Sequence, residues 1–269
     1  MRYENIIDLH THSILSFDGH HSCEELSQSC LDKGGIALAI TDHLDIDDSS
    51  LDVDAFAKEQ FAATLSAKNA FKGKLAVLQG IELGQGIYRK EKSIELLDLY
   101  NYDVVIGAIH NLENMQDFYF MNYNEEDVDS LLQSYFEAVL ELVQWNYYDT
   151  LAHLTYPLRY ICGNYGIKVD LSKYSEIIDS IFETIIKNKK ALELNVSSLN
   201  TYHKDTMPPA YLIKRFKELG GKYVTVGSDS HYNEKVCDGI ETGYDLLKSC
   251  GFEHFTIFVG REPWLMPIR

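Results

Sequence analysis

Short continuous apolar runs alternate with longer stretches of helical periodicity along this chain. The runs lie at residues 6–7, 36–40, 75–81, 104–109, 150–152, 191–195 and 223–227. They are too short for helices and lack the apolar/polar alternation of half-exposed strands, so they read as strands buried on both faces. Between them the apolar spacing switches to a period near 3.6. A Ser22-x-x-Glu25 capping box opens a helix to about Leu31, ended by Gly34-Gly35. Further helices are expected around Phe56 to Leu65, Ile94 to Leu99, Val128 to Val143, Leu171 to Lys187, from Pro208-Pro209 to Gly220, and about Gly243 to Lys248. The stripe Leu131, Leu132, Tyr135, Phe136, Val139, Leu140, Val143 is a broad face for packing on a sheet. A strand-like run, 255–259, closes the chain. The aromatic segment 111–124 has no helical spacing and reads as a long loop whose rings pack on one another; the alternative is that one or two face the substrate.

The polar residues that end these runs decide the architecture. His10 and His12 follow the first run at i and i+2, on one side of a strand end. The second run ends in Thr41-Asp42-His43, the third in Glu82, the fourth in His110, the fifth in His153, the sixth in Asn195, and the seventh in Ser228-Asp229-Ser230-His231. Asp18 sits in the first loop. Strand–helix alternation implies parallel strands. An open sheet gathers its site at one switch point, where both edge strands cannot reach it. A closed barrel brings every C-terminal strand end to one mouth. The pattern predicts a single α/β domain over 1–269, a TIM-like barrel with its site at that mouth.

One histidine at a strand end is ordinarily a hydrogen-bonded core residue; six at the same end of five strands are not chance. A His-rich set with a few carboxylates suits zinc, manganese or iron better than calcium or magnesium. The net charge of −17 disfavours binding to long nucleic acids, whereas a small anionic substrate fits if metal ions reverse the local field. Five scattered cysteines without a Cys-x-x-Cys pair read as reduced thiols. With no signal peptide and no apolar run long enough to span a membrane, the expectation is a soluble, cytoplasmic protein acting on a small molecule.

The order His-x-His, Asp18 in a Ser-Phe-Asp-Gly turn, Thr-Asp-His, Gly-Ile-Glu, a strand ending in His, Ala-His and Gly-Ser-Asp-Ser-His resembles the PHP (polymerase and histidinol phosphatase) superfamily, from Ile6 to about His231. The segments 193–198 and 217–229 are similar to its histidinol-phosphate phosphatase branch. The resemblance implies a distorted barrel of seven β/α units with three divalent metal ions. One takes His10, His12, Glu82 and Asp229; a second shares Glu82 and adds His110 and His153; a third takes Asp18, His43 and His231. The family often has His in place of Asp18, so His20 and His21 stand as alternatives. The implied reaction is hydrolysis of L-histidinol phosphate to L-histidinol and phosphate in histidine biosynthesis, with a metal-bridging hydroxide attacking phosphorus. The alternative is another small phosphomonoester or a nucleotide. His43 and His231 are catalytic by this reading. Asp42 either handles a proton or orients His43, Arg159 is a candidate phosphate clamp, and Asn195 is a candidate substrate contact. Amidohydrolases also open with His-x-His, but many bridge their metals with a modified Lys; here no strand ends in Lys, and Glu82 takes that place.

Overall fold

The computed structural model describes residues 2–269. Eight parallel segments form its main sheet: β1 (Ile7–Asp8), β2 (Ala37–Ile40), β3 (His43–Asp45), β4 (Ala76–Gly84), β5 (Val104–Ala108), β6 (Thr150–Leu151), β7 (Ala191–Asn195) and β8 (Val224–Gly227). β2 and β3 are successive parts of one strand, since both pair with β4: Ile40 lies opposite Gln79, and His43 opposite Glu82. The spatial order is otherwise the chain order, β1-β2-β4-β5-β6-β7-β8. Backbone bonds join the two ends of the sheet. Leu9 N donates to the Val226 carbonyl (3.2 Å), Asp229 N to that of His10 (2.8 Å) and His12 N to that of Ser230 (2.8 Å). The result is the distorted (β/α)7 barrel that the strand-end pattern implies.

Among the described residues seven α-helices surround it: α1 (Cys23–Asp32), α2 (Val53–Ala70), α3 (Lys90–Leu99), α4 (Val128–Trp145), α5 (Ser175–Lys187), α6 (Ala210–Glu218) and α7 (Ile240–Ser249). The Ser22/Glu25 capping box is present at α1, and Asp52 and Asp127 cap α2 and α4 through their side chains. α4 ends at Asn146 in the left-handed region (φ 66°), a conformation Asn tolerates. α5 buries Ile178, Ile181, Phe182 and Ile185, the i, i+3, i+4, i+7 stripe. At about 1.5–3 kcal/mol per side chain, that stripe contributes on the order of 6–12 kcal/mol towards docking the helix.

Two features depart from the sequence expectation. β4 runs on to Gly84, so Glu82 lies inside a strand instead of ending it; β3 supplies the pairing partner that extends it. The run 255–259 is one arm of an antiparallel hairpin, β9 (His254–Val259) and β10 (Glu262–Pro267). Its turn residues Gly260 and Arg261 both have positive φ (58° and 64°), matching the strand twist. Arg261 N donates to the Asp103 carbonyl (2.9 Å), and its guanidinium meets Asp149 (2.9 Å). Asp103 and Asp149 precede β5 and β6, so the hairpin turn sits at the N-terminal end of those strands, away from the ligand-bearing ends. Among the described residues no helix is long and apolar enough to cross a membrane.

Candidate metal centre

The C-terminal strand ends bring the expected ligands together around Glu82, which is fully buried. Its Oε2 lies 3.3 Å from His10 Nε2, 3.6 Å from His12 Nε2 and 2.9 Å from His43 Nδ1. Its Oε1 lies 3.0 Å from His153 Nε2 and 3.3 Å from His110 Nε2. Asp229 Oδ1 completes the first side at 3.2 Å from His12 Nε2 and 3.7 Å from His10 Nε2. Asp229 reaches inward from a backbone with φ 51°, the left-handed region that few residues besides Gly and Asn/Asp occupy. Nearer the opening, His231 Nε2 is 3.2 Å from Asp18 Oδ2 and 3.5 Å from His43 Nε2. His43 thus faces both groups, one ring nitrogen towards Glu82 and the other towards His231. His20 instead stacks on Tyr232, and His21 Nδ1 accepts from Asn233 N. Asp18 is therefore the first-loop residue aimed at His43 and His231.

Several of these atoms are buried without a hydrogen-bond partner of acceptable geometry: Nε2 of His10 and His12, Nδ1 of His43, Oδ1 of Asp18 and Oε2 of Glu82. An orphaned buried polar atom costs about 1–3 kcal/mol, so a cluster of them facing one another calls for a cation. Four overlapping sets of three donors lie within 4.8 Å of one another: His12/His43/His231, His10/His153/Asp229, His10/His12/Glu82 and His43/Glu82/His110. The donor set fits divalent metal ions. Electrostatics agrees. Burial pulls His43 down, but the Glu82 carboxylate overrides it and raises the ring to about 9. Burial also opposes charge on His10 and His110, yet Glu193 with Glu82, and Glu82 with Asp45, lift them well above the usual imidazole value. Burial and the neighbouring His43 and His231 push His12 well below it. Burial raises Asp18, but the hydrogen bond and charge of His231 outweigh it and bring the carboxyl down to about 2.

Residues behind the candidate ligands hold them in place. Asp45 holds His110 Nδ1 at 3.0 Å and Glu193 holds His10 Nδ1 at 2.7 Å. Neither is singled out by sequence reasoning, although a signal exists: each is two residues from a strand-end polar residue, His43 and Asn195, and so shares its face. Asp42 lies behind the ligands. It accepts from Ser13 N (2.5 Å), Ser13 Oγ (2.9 Å) and Ser16 Oγ (2.9 Å), while Ser16 Oγ lies 3.3 Å from His12 Nδ1 and accepts from His43 N. These are the contacts an orienting group would make, one of its two expected roles. Asn195, expected as a substrate contact or a loop-capping amide, makes the contacts of the second. Its Nδ2 donates to Glu193 (3.2 Å) and Asp229 (3.3 Å) and its Oδ1 accepts from Ser197 N (3.1 Å), so the amide is occupied before any ligand arrives.

The centre opens into a cavity of about 480 Å³ walled by Phe17, Asp117, Tyr119, Phe120, Tyr156, Arg159 and Tyr160. Arg159 begins a single wide helical turn, Arg159–Asn164. Among the described residues no carboxylate lies within 4 Å of its guanidinium, so its donors are free for an anion. In segment 111–124, Phe118 and Tyr123 are buried and pack inward, while Tyr119 and Phe120 are exposed at the cavity wall.

Relatives extend along nearly the whole chain. A probable histidinol-phosphatase of Clostridium acetobutylicum is 28% identical over 255 residues, covering 92% of this chain and 95% of the relative. The histidinol-phosphatase of Lactococcus lactis is 27% identical, covering 95% of each. The crystal structure of the Lactococcus lactis histidinol phosphate phosphatase, described as complexed with zinc, L-histidinol and phosphate, superposes with a TM-score of 0.83 at 26% identity, covering 97% of this chain and 99% of the other. The Bacillus subtilis DNA polymerase/3'-5' exonuclease PolX is 28% identical over 88% of this chain, which spans only 36% of that protein. The PHP domain model matches residues 8–197, from the end of β1, just before His10 and His12, to just past β7 with Glu193 and Asn195, and this chain belongs to the PHP domain family.

Proposed function

We propose that this protein hydrolyses L-histidinol phosphate to L-histidinol and phosphate, as one domain over residues 1–269 in a cytoplasmic, biosynthetic setting. The observation that carries the reading is the position of Glu82, whose two carboxylate oxygens each face a separate set of imidazoles. His10, His12, Glu82 and Asp229 would hold one divalent ion, Glu82, His110 and His153 a second, and Asp18, His43 and His231 a third. Bound there, such ions supply an activated water near neutral pH and neutralise the phosphate oxygens. The near full-length match to a phosphatase described with zinc, L-histidinol and phosphate supports both the metal and the substrate class.

The chain's own residues do the rest. Arg159 offers a planar fork of donors to a phosphate dianion at the cavity wall. Glu193, Asp45 and Ser16 each contact the Nδ1 of a ligand imidazole and so turn the Nε2 of His10, His110 and His12 towards Glu82. Tyr156 and Phe120 line the cavity and would limit water around the reacting phosphate.

The PolX relative keeps a second reading open to test, that of a phosphoesterase acting on a nucleotide. Phosphate release is measured from L-histidinol phosphate, a generic phosphomonoester, a phosphodiester and mononucleotides, with zinc-, manganese- and iron-loaded enzyme. The expected result is a kcat/KM for L-histidinol phosphate about 10³-fold above the rest, or about 4 kcal/mol of discrimination. Equal rates on all monoesters, or a preference for a nucleotide or diester, would discard the histidinol assignment.

A further inference from the structure

We propose that Glu193 is the positioning residue that locks His10, His153 and Asp229 into one arrangement, and so sets how tightly metal binds on both sides of Glu82. The inference rests on the reading above that these groups take divalent cations.

Glu193 lies on β7 and is 1% exposed. His10 Nδ1 donates to its Oε1 at 2.7 Å. The backbone N of His153 donates to its Oε2 at 2.9 Å, and Asn195 Nδ2 reaches the same oxygen at 3.2 Å. Asn195 Nδ2 also approaches Asp229 Oδ2 at 3.3 Å. One carboxylate therefore connects, directly or through a single amide, to three residues on three different strand ends, which themselves form a candidate ligand set. The neighbouring strand makes room for it. A Cβ at Gly227 would stand 2.6 Å from Glu193 Oε1 and 2.4 Å from His10 Cβ, so the glycine permits this approach.

A proton fixed on His10 Nδ1 leaves Nε2 as the lone pair, and Nε2 is the atom facing Glu82 and Asp229. The carboxylate also makes that imidazole a stronger donor. Among the described residues no Lys or Arg lies within 4 Å of Glu193; its only charged contact is His10. Without metal, the contact with His10 offsets the burial of this carboxylate, so Glu193 also bears on the fold. The proposal is separated from a merely structural role by the zinc affinity of the folded protein.

The test uses the full chain, stripped by chelation and titrated with zinc against a fluorescent zinc chelator, alongside thermal unfolding of the metal-free protein. Glu193→Gln keeps the volume, but its single oxygen cannot accept from both His10 and His153. The expected result is a roughly 10–100-fold weaker zinc affinity in a variant that still unfolds cooperatively without metal. Affinity within threefold of wild type overturns the proposal, as does a lowered metal-free unfolding temperature with affinity retained. If Glu193→Gln does not fold, Glu193→Asp, which keeps the charge but withdraws it from His10, is read by the same two criteria. A wild-type chain that takes up no zinc refutes the metal reading itself, a different failure from a wild type that binds zinc and a variant that binds it equally well.

Discussion

Replacing Glu82 with Gln removes one charge at nearly constant volume from the centre of the site. A four-ligand zinc site is worth about 10–16 kcal/mol at neutral pH, so one ligand in four accounts for roughly 3 kcal/mol. Glu82 Oε2 stands among His10, His12 and His43, and Oε1 between His110 and His153, so on the proposed assignment two ions would lose a ligand together. The combined loss is about 6 kcal/mol, on the order of 10⁴-fold in joint occupancy at 1.36 kcal/mol per decade. The assay is elemental analysis of the purified, gel-filtered variant beside kcat on L-histidinol phosphate, with circular dichroism as the folding control. Glu82→Gln is expected to fold, to carry little metal at those two positions and to fall at least 10³-fold in kcat. The same change removes the carboxylate that raises His43, so that ring should titrate closer to its ordinary value. A folded Glu82→Gln protein with full metal content and turnover within threefold of wild type would refute the bridging assignment.

Arg159→Ala should raise KM for a phosphomonoester about 10-fold or more while metal content stays at the wild-type level, because its guanidinium lines the cavity without a carboxylate partner; unchanged kinetics would return it to a packing role. The pH dependence of the metal-free protein follows from two shifts. His43 is raised from 6.5 to about 9, so its contribution is full below about 6.5 and is lost as pH rises through about 9. Asp18 is lowered from 3.8 to about 2, so its contribution is present above 3.8 and is lost as pH falls through about 2. The unfolding temperature of chelated protein should therefore decline between pH 6.5 and 9, while zinc binding strengthens over the same range because metal competes with protons for the imidazoles; a chelated protein that gains stability over that window would contradict the charge pattern. At the far end of the barrel, Arg261→Ala strips the closest charged partner from Asp149, leaving Val105 N at 2.9 Å and Lys190 at 3.5 Å. That should cost about 2 kcal/mol, or roughly 4–8 °C in Tm, with kcat and metal content untouched.

The sequence determined the order of elements and the identity of the convergent side chains. Buried parallel strands need continuous apolar runs, and polar residues that end such runs can only face the mouth or the loops. His10, His12, Glu82, His110, His153 and Asp229 were legible for that reason. Asp45 and Glu193 were legible in principle, because period-two spacing places them on the same faces as His43 and Asn195, but nothing local shows that a carboxylate there meets an imidazole from a distant strand.

Tertiary structure alone decided the rest. Whether Asp18, His20 or His21 approaches His43 depends on how the first loop folds over the mouth, and stacking on Tyr232 draws His20 aside. Asp42 and Asn195 follow apolar runs as the candidate ligands do, yet the hydroxyls of Ser13 and Ser16, and the carboxylates of Glu193 and Asp229, engage them from other parts of the chain. The hairpin turn at Asp103 and Asp149 and the extension of β4 past Glu82 also arise from partners far away in sequence. A residue's type and periodicity fix which face it takes. Which group meets it there is settled only when the barrel closes.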